Sequence, residues 1–369
     1  MTTNAALYPA ERLTVVAAAV REAGLSALLL TPGPDLRYVT GYDAKQLERL
    51  TCLAVPAVGD PFLLVPRLEL AAAQASPASG LGIETVAWGE TESPFGIMKE
   101  RLGPLGSVAL SDRMWALHVL QFRDAFPGAR QELASTVLTP LRIRKTPAEV
   151  SALREAGEAI DRVHAQVPGW LRAGRTEREV GARIAEAILA QGHVQVDFVI
   201  VASGPNAASP HHDVSDRVLD DGDVVVVDIG GTMPSGYCSD CTRMYAIGRP
   251  PADFAAYYEV LREAQESACE AVRPAVTAEA VDRAARDIIA KAGYGDWFIH
   301  RTGHGIGLES HEDPYIVEGN TTELAPGMAF SVEPGIYPGP HGARIEDILV
   351  CTATGYERLN NATRDLVIV

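Results

Sequence analysis

Short apolar runs alternate with stretches of helical composition along the first part of the chain. Glu11–Ala23 reads as a helix, and Ser26–Leu30 as a strand ending at the Pro-Gly turn of Pro32 and Gly33. Thr51–Val55 and Phe62–Val65 flank a Gly-Asp-Pro turn and read as a hairpin. Helices are expected near Leu68–Gln74, Ile97–Leu102 and Met114–Phe126, with short strands between them. This alternation predicts a mixed α/β domain over residues 1–140, without clustered chemistry. The segment from Thr139 to Val150, with two prolines and a basic run, reads as a linker entering a helix. Pro147 occupies a tolerated first-turn position and Glu149 follows closely, so a boundary near residue 145 and a second domain over 147–369 are expected.

The second part repeats itself. A helix expected over Pro147–Leu171 precedes one opened by Thr176, whose T-x-x-E pairing with Glu179 is a capping box. The strand-turn-strand pattern VVVVDIGGTMPSGYCSDCTRMY follows. A helix over Asp253–Val272 and another after Thr277 then lead to a second such pattern, FSVEPGIYPGPHGARIEDILV. Asp228 and Asp240 lie in the first hairpin, Glu333 and Glu346 in the second. Glu333 comes 105 positions after Asp228, and Glu346 comes 106 after Asp240. A duplicated helix–helix–hairpin unit would set the four acids at the junction of its halves. Asp228 and Asp240 are symmetric about Pro234, so an odd loop would oppose them directly. Glu333 and Glu346 are symmetric about the Gly339–Pro340 bond, which suits an even loop.

Carboxylates in or beside apolar, β-prone runs are costly to desolvate. Four of them about 4 Å apart repel by roughly 4 kcal/mol per pair at an effective dielectric near 20, on the order of 25 kcal/mol in all. That exceeds a domain's net stability. Either the acids stay apart or cations hold them together. HRTGHGIGLESH supplies a histidine, His304, between Gly303 and Gly305, where small neighbours permit close approach. A lone histidine is more often a packed or surface residue; its place between the acid pairs favours a ligand.

Apolar content of 47% with 22% charged residues is that of a globular protein. The net charge of −16 argues against nucleic acid or an anionic membrane as partner. No stretch of about 18 apolar residues is available to span a bilayer. The start MTTNAALYPAERL lacks a basic segment followed by an apolar core, so no secretory leader is expected. Five scattered cysteines suit reduced thiols in a cytoplasm. Cys238 and Cys241 form a lone C-x-x-C without a second pair, in a hairpin, and are expected to be structural thiols beside Asp240.

Asp228, Asp240, His304, Glu333 and Glu346, in VDIG, YCSD, GHGIG, VEPG and RIED, resemble the ligand set of the pita-bread metallopeptidases. That group contains methionine aminopeptidases, Xaa-Pro aminopeptidases and Xaa-Pro dipeptidases (prolidases). The likeness runs in order through 147–369, and DLRYVTGY at Asp35–Tyr42 resembles the creatinase-type domain preceding the proline-specific branch. It implies an α+β pita-bread catalytic domain with an internal pseudo-twofold repeat, preceded by a smaller α/β creatinase-type domain. It further implies two divalent ions, Mn²⁺ first with Co²⁺, Fe²⁺ or Zn²⁺ as alternatives. Asp228 would hold one, His304 and Glu333 the other, with Asp240 and Glu346 bridging both. Asp228 and Asp240 are 12 apart where the family has 11, which puts the loop near Met233–Gly236 in question.

By the same likeness His211, in SGPNAASPHH, would sit beside the substrate and His311 would contact the tetrahedral intermediate, while His212 reads as incidental. Arg344 either lies at the substrate end or pairs with an acid of the metal shell. The implied activity is cleavage of the Xaa-Pro bond in dipeptides or at the N-terminus of short peptides. A metal-bridging hydroxide would be the nucleophile, Glu333 the proton carrier, and a homodimer the assembly. The alternatives are a broader metalloaminopeptidase, a metal-free creatinase-like hydrolase and a non-enzymatic binding module.

Overall fold

The runs ALLL, CLAVP and FLLVP form strands buried along almost their whole length, as a sheet covered on both faces requires. In the computed structural model, which describes residues 4–369, they belong to a unit ending at Arg142; a second unit runs from Ile143 to Val369. The first contains α1 (Asn4–Leu7), α2 (Glu11–Glu22), β1 (Ala27–Leu30), α3 (Pro34–Thr40), β2 (Cys52–Pro56), β3 (Phe62–Pro66), α4 (Leu70–Ala75) and β4 (Glu84–Trp88). It continues through α5 (Pro94–Leu102), β5 (Ser107–Leu110), α6 (Ala116–Ala125), β6 (Arg130–Leu133) and α7 (Ser135–Arg142). The six strands order as β4-β3-β2-β1-β5-β6, with the β1–β2–β3 part antiparallel and the outer pairs parallel. One face packs Leu29, Ala54 and Leu64 against Met98 of α5 and Phe122 of α6.

The expected linker is not a free segment. Its first half is helical as far as Arg142, because Val137 and Leu138 give α7 a buried stripe despite Pro140. Its second half is tied down where Arg144 bridges Met328 and the Lys145 amide bonds to the Gly327 carbonyl at 2.7 Å.

The second unit begins with α8 (Pro147–His164), α9 (Glu177–Ala190), β7 (Gln195–Ser203), β8 (Val224–Thr232) and β9 (Cys238–Ala246). Next come α10 (Phe254–Ala271), α11 (Ala278–Lys291), β10 (Gly303–Gly305), β11 (Glu312–Ile316), β12 (Ala329–Val332), β13 (Gly335–Ile336) and β14 (Ala343–Arg344). β15 (Asp347–Cys351), β16 (Tyr356–Arg358) and β17 (Val367–Ile368) close it. Capping boxes start α8 at Thr146/Glu149 and α9 at Thr176/Glu179. α8 stops at His164, short of the expected Leu171, and gives way to a 3₁₀ turn at Val167–Gly169 whose Pro168 has no N–H to continue the helix.

The helix–helix–sheet arrangement occurs twice. α8 and α9 pack on the sheet β17-β9-β8-β7, and α10 and α11 pack on the strands β11-β10-β12-β15-β16 and the small β13–β14 ladder. One apolar core, with Ile160, Ile184 and Val227, lies within the first half; the other, with Leu261, Val281 and Phe330, also takes in Val226 and Met244 from the sheet of the first half. The halves are stitched where the Glu346 amide bonds to the Thr242 carbonyl at 3.2 Å.

Candidate active site

The site lies at that seam. In β8–β9, Asp228 faces Thr242 and Asp240 faces Gly230. The two aspartates are therefore diagonal on one face rather than directly opposed as expected. The cause is the loop Met233–Tyr237, which centres the hairpin on Ser235 instead of Pro234. A two-residue offset keeps the parity of the pleat, so both side chains still point to one face. Gly230, across from Asp240, leaves room for the Phe198 ring of β7, which a Cβ there would meet at 2.5 Å.

Glu333 and Glu346 come from the other half. The β12–β15 pairs and the β13–β14 pairs share one register, which sets Glu333 across from Glu346 between the two ladders. His304, on β10, directs its Nε2 to Glu333 Oε1 at 3.2 Å and to Asp240 Oδ2 at 3.8 Å. Its Nδ1 lies 3.1 Å from the Gly305 carbonyl, which can only accept, so Nδ1 carries a proton, and Nε2 faces the acids, as a donor to Glu333 when it too is protonated and as an open lone pair when it is not. The GHGIG glycines serve this close packing: a Cβ on Gly307 would meet the Glu312 carboxylate at 2.6 Å, where Glu312 pairs with buried Lys145 at 2.5 Å.

The acids do converge, and the protein's own groups balance part of their charge. Arg344, 2% exposed, donates to Asp228 at 2.5 Å. Burial opposes ionisation of Glu333, but the hydrogen bond from His304 outweighs it and holds the carboxyl at about 2. Asp240 is pushed well above the usual carboxylate range by burial and then by the charges of Glu346, Asp228 and Glu333. Glu346 is raised in the same way, by burial and then by Glu333 and Asp228. Asp228 is raised by burial in spite of Arg344.

A cation fits what remains. Among the described residues, Asp228 Oδ1 and Glu346 Oε1 are buried without a hydrogen-bond partner. Asp228–Asp240–Glu346, His304–Glu333–Glu346 and Asp240–His304–His311 each bring their donor atoms within 4.8 Å of one another. Asp240, His304 and Glu346 belong to two groups each. Orphaned carboxylate oxygens in an oxygen-rich set with imidazole suit a divalent ion.

These residues line a cavity of about 730 Å³ with an apolar wall of Phe198, Val199, Ile200 and Pro210. His211 and His311 are exposed to it, and the His311 ring centre stands 3.9 Å from that of His304. Burial and then the neighbouring His304 charge lower His311 to about 4. Arg344 has all its nitrogens engaged: Nη2 with Asp228, Nη1 with Tyr337 and the Pro210 carbonyl, and Nε with Thr242. The pairing with an acid of the set is present, and Arg344 also lines the cavity. Cys238 and Cys241 are both buried, and an odd spacing on β9 sends them to opposite faces, so they cannot share an ion.

His212 is not incidental. Its Nε2 bonds to Glu177 Oε2 at 2.8 Å, and Glu177, 0% exposed, also accepts from Ser203, Asn206 and Ser215. The carboxylate thus ties the segment carrying His211 to the first turn of α9. Sequence reading missed Glu177, whose one mark was an acid at a helix start, and Tyr337, which links Arg344 to His300 at 3.0 Å on each side. His300 stood unremarked in HRTGHGIG.

Metallopeptidase family M24 matches residues 151–353, and the creatinase/prolidase N-terminal domain matches residues 12–144. The crystal structure of dipeptidase PepE from Mycobacterium ulcerans superposes with a TM-score of 0.94 at 53% identity, covering 100% of both chains. A recombinant prolidase from Thermococcus sibiricus superposes at 0.90 with 37% identity, over 97% of this chain and 98% of that one. An Xaa-Pro dipeptidase from Lactobacillus helveticus is 38% identical over 343 residues, 90% of this chain and 92% of the relative.

Proposed function

The chain belongs to metallopeptidase family M24, with a creatinase/prolidase N-terminal domain, and from that premise we propose that it hydrolyses the Xaa-Pro bond of short peptides. The observation carrying this reading is the convergence of Asp228, Asp240, His304, Glu333 and Glu346 on one cavity wall beside His211 and His311. The five would hold two divalent ions, and the overlap of the ligand groups supports a shared centre rather than separate sites. Such ions, when bound, supply an acidified water as nucleophile and polarise the carbonyl under attack. Mn²⁺ is favoured by the predominance of oxygen donors.

The side chains do the rest. Neutral His311 donates to the oxygen that gains charge as the carbonyl becomes tetrahedral. Ionised Glu333 takes a proton from the attacking water and hands it to the departing imino nitrogen. His211, exposed to the cavity, positions the peptide, and the β7 wall offers an apolar surface to the proline ring. The tertiary amide before proline has no N–H to recognise, so ring shape must serve instead. The proline preference is supported by the prolidase and Xaa-Pro dipeptidase among the similar proteins. We include in the reading a catalytic domain over 147–369, a homodimer, and a cytoplasmic setting, the last consistent with five buried cysteine thiols.

Purified protein should cleave an Xaa-Pro dipeptide when Mn²⁺ is added and lose activity on chelation, while the matching Xaa-Ala dipeptide reacts at least tenfold more slowly. Indifference to divalent ions, or cleavage confined to peptides without proline, would overturn the reading.

A further inference from the structure

His311 faces the cavity and is exposed, and among the described residues neither of its ring nitrogens makes a hydrogen bond. Its ring meets that of His304 edge-on, centre to centre 3.9 Å, and the backbone must supply the rest of its aim. The ladder beside it is irregular. Gly303 pairs with Ile316 and Gly305 with Glu312, so one residue separates the glycines while three separate their partners. Pro314, inside that bulge, has no N–H to give the ladder. Regular pairing therefore does not set where β11 begins, and His311 is the residue just before it.

A buried ion pair does. Lys145 Nζ meets Glu312 Oε1 at 2.5 Å, with 3% and 10% of the two side chains exposed. The lysine itself is held in place: its amide bonds to the Gly327 carbonyl at 2.7 Å, and the Gly327 amide bonds to the carbonyl of Cys351, the last residue of β15, at 2.9 Å. At the other end of the segment the Cys238 amide donates to the Gly307 carbonyl at 2.9 Å. Compared with an apolar contact of equal volume, a buried ion pair adds little stability. Its fixed length and direction suit it to setting a position instead. Resting on the role given to His311 above, we propose that Lys145 is a positioning residue of the reaction: through Glu312 it places the His311 ring where the oxygen of the tetrahedral carbon gains its charge.

The test uses the whole protein at saturating Mn²⁺ with an Xaa-Pro dipeptide. Lys145→Met alone would leave a buried carboxylate unpaired, so it is combined with Glu312→Gln, which removes both charges and keeps the fold. This double variant should melt within about 4 °C of wild type. It should lower kcat by about tenfold to a hundredfold, as a displacement of about 1 Å costs, and leave KM within about twofold. Lys145→Arg, which keeps the charge, should stay within about fivefold of wild type. His311→Ala should by itself lower kcat by about 10²–10³-fold. In that background the double variant should cost less than about twofold more, because no ring is left to misplace. A crystal structure of the double variant should show the His311 ring moved from its 3.9 Å contact with His304. A ring that keeps that contact, or an equal loss of kcat with and without His311, would overturn the inference. His311→Ala with wild-type kcat sinks the role of His311 and the inference with it, while cleavage before proline stands. Wild-type protein that cleaves no Xaa-Pro peptide sinks the Xaa-Pro reading, and the ring position in the crystal structure still decides the inference.

Discussion

Replacing Glu177 by Gln tests whether a buried carboxylate outside the ion-binding set organises the site. Glu177 Oε1 accepts from the Ser203 amide at 2.8 Å and its hydroxyl at 2.7 Å, and Oε2 accepts from Ser215 Oγ at 2.6 Å and His212 at 2.8 Å. Burial disfavours the charge, but the bonds from Ser215, Ser203 and Asn206 outweigh it and hold the carboxyl at about 2, against an ordinary 4.5. That difference corresponds to about 3 kcal/mol of stability. Because the folded value is depressed, the contribution is fully present above the unfolded value and is lost as pH falls from about 4.5 towards 2. Glutamine keeps one acceptor but points an amide N–H₂ at donors. In urea unfolding followed by circular dichroism, Glu177→Gln should be about 3 kcal/mol less stable than wild type at pH 7. The gap should narrow below pH 4.5, since every other titrating group is common to both proteins. The variant should also raise KM, because His211 sits next to His212 on the loosened segment. Equal stabilities at pH 7, or a gap unchanged down to pH 3, would refute the argument.

Cation binding should release protons, because Asp240 and Glu346 retain theirs beyond the usual carboxylate range; Mn²⁺ affinity therefore rises with pH, and calorimetry in two buffers of different ionisation enthalpy reads the release. Glu333→Gln should lower kcat by about 10²–10⁴-fold with an unchanged circular dichroism spectrum, and a loss below tenfold would remove Glu333 from proton transfer. Gly307→Ala places a Cβ 2.6 Å from the Glu312 carboxylate, next in the chain to His311; a cost of about 1–3 kcal/mol together with reduced kcat is expected in thermal unfolding and steady-state assays. Gly157→Ala sets a helix-propensity gain of about 1 kcal/mol against a Cβ 2.5 Å from the Leu359 carbonyl. Overlap with backbone should win, so the melting temperature should fall.

Local grammar made much of this legible in the chain. Thr146, Thr176 and Thr277 announce three helix starts, and each side chain accepts a backbone N–H of its helix. The offsets of 105 and 106 residues foretold a doubled helix–helix–sheet unit with the acids at its seam. Pleat parity survives a small slip, which is why Asp228 and Asp240 share a face although their register was misjudged. The α8 end and the first half of the Thr139–Val150 segment were misread, because Pro168 and the buried stripe of α7 act within a turn or two of weak pattern.

The sequence by itself determined the elements, the duplication and the five residues with ligand chemistry, since caps, alternation and motif spacing act over a few neighbouring positions. Only the tertiary structure decided how charge is shared at the seam. Arg344 meets Asp228 116 residues away, Thr242 bonds to Glu346 104 away, and His212 meets Glu177 from the middle of the long connection between β7 and β8. Such partners are chosen by desolvation: a buried charge takes whichever donor the packed halves bring within reach, and no local periodicity records that choice.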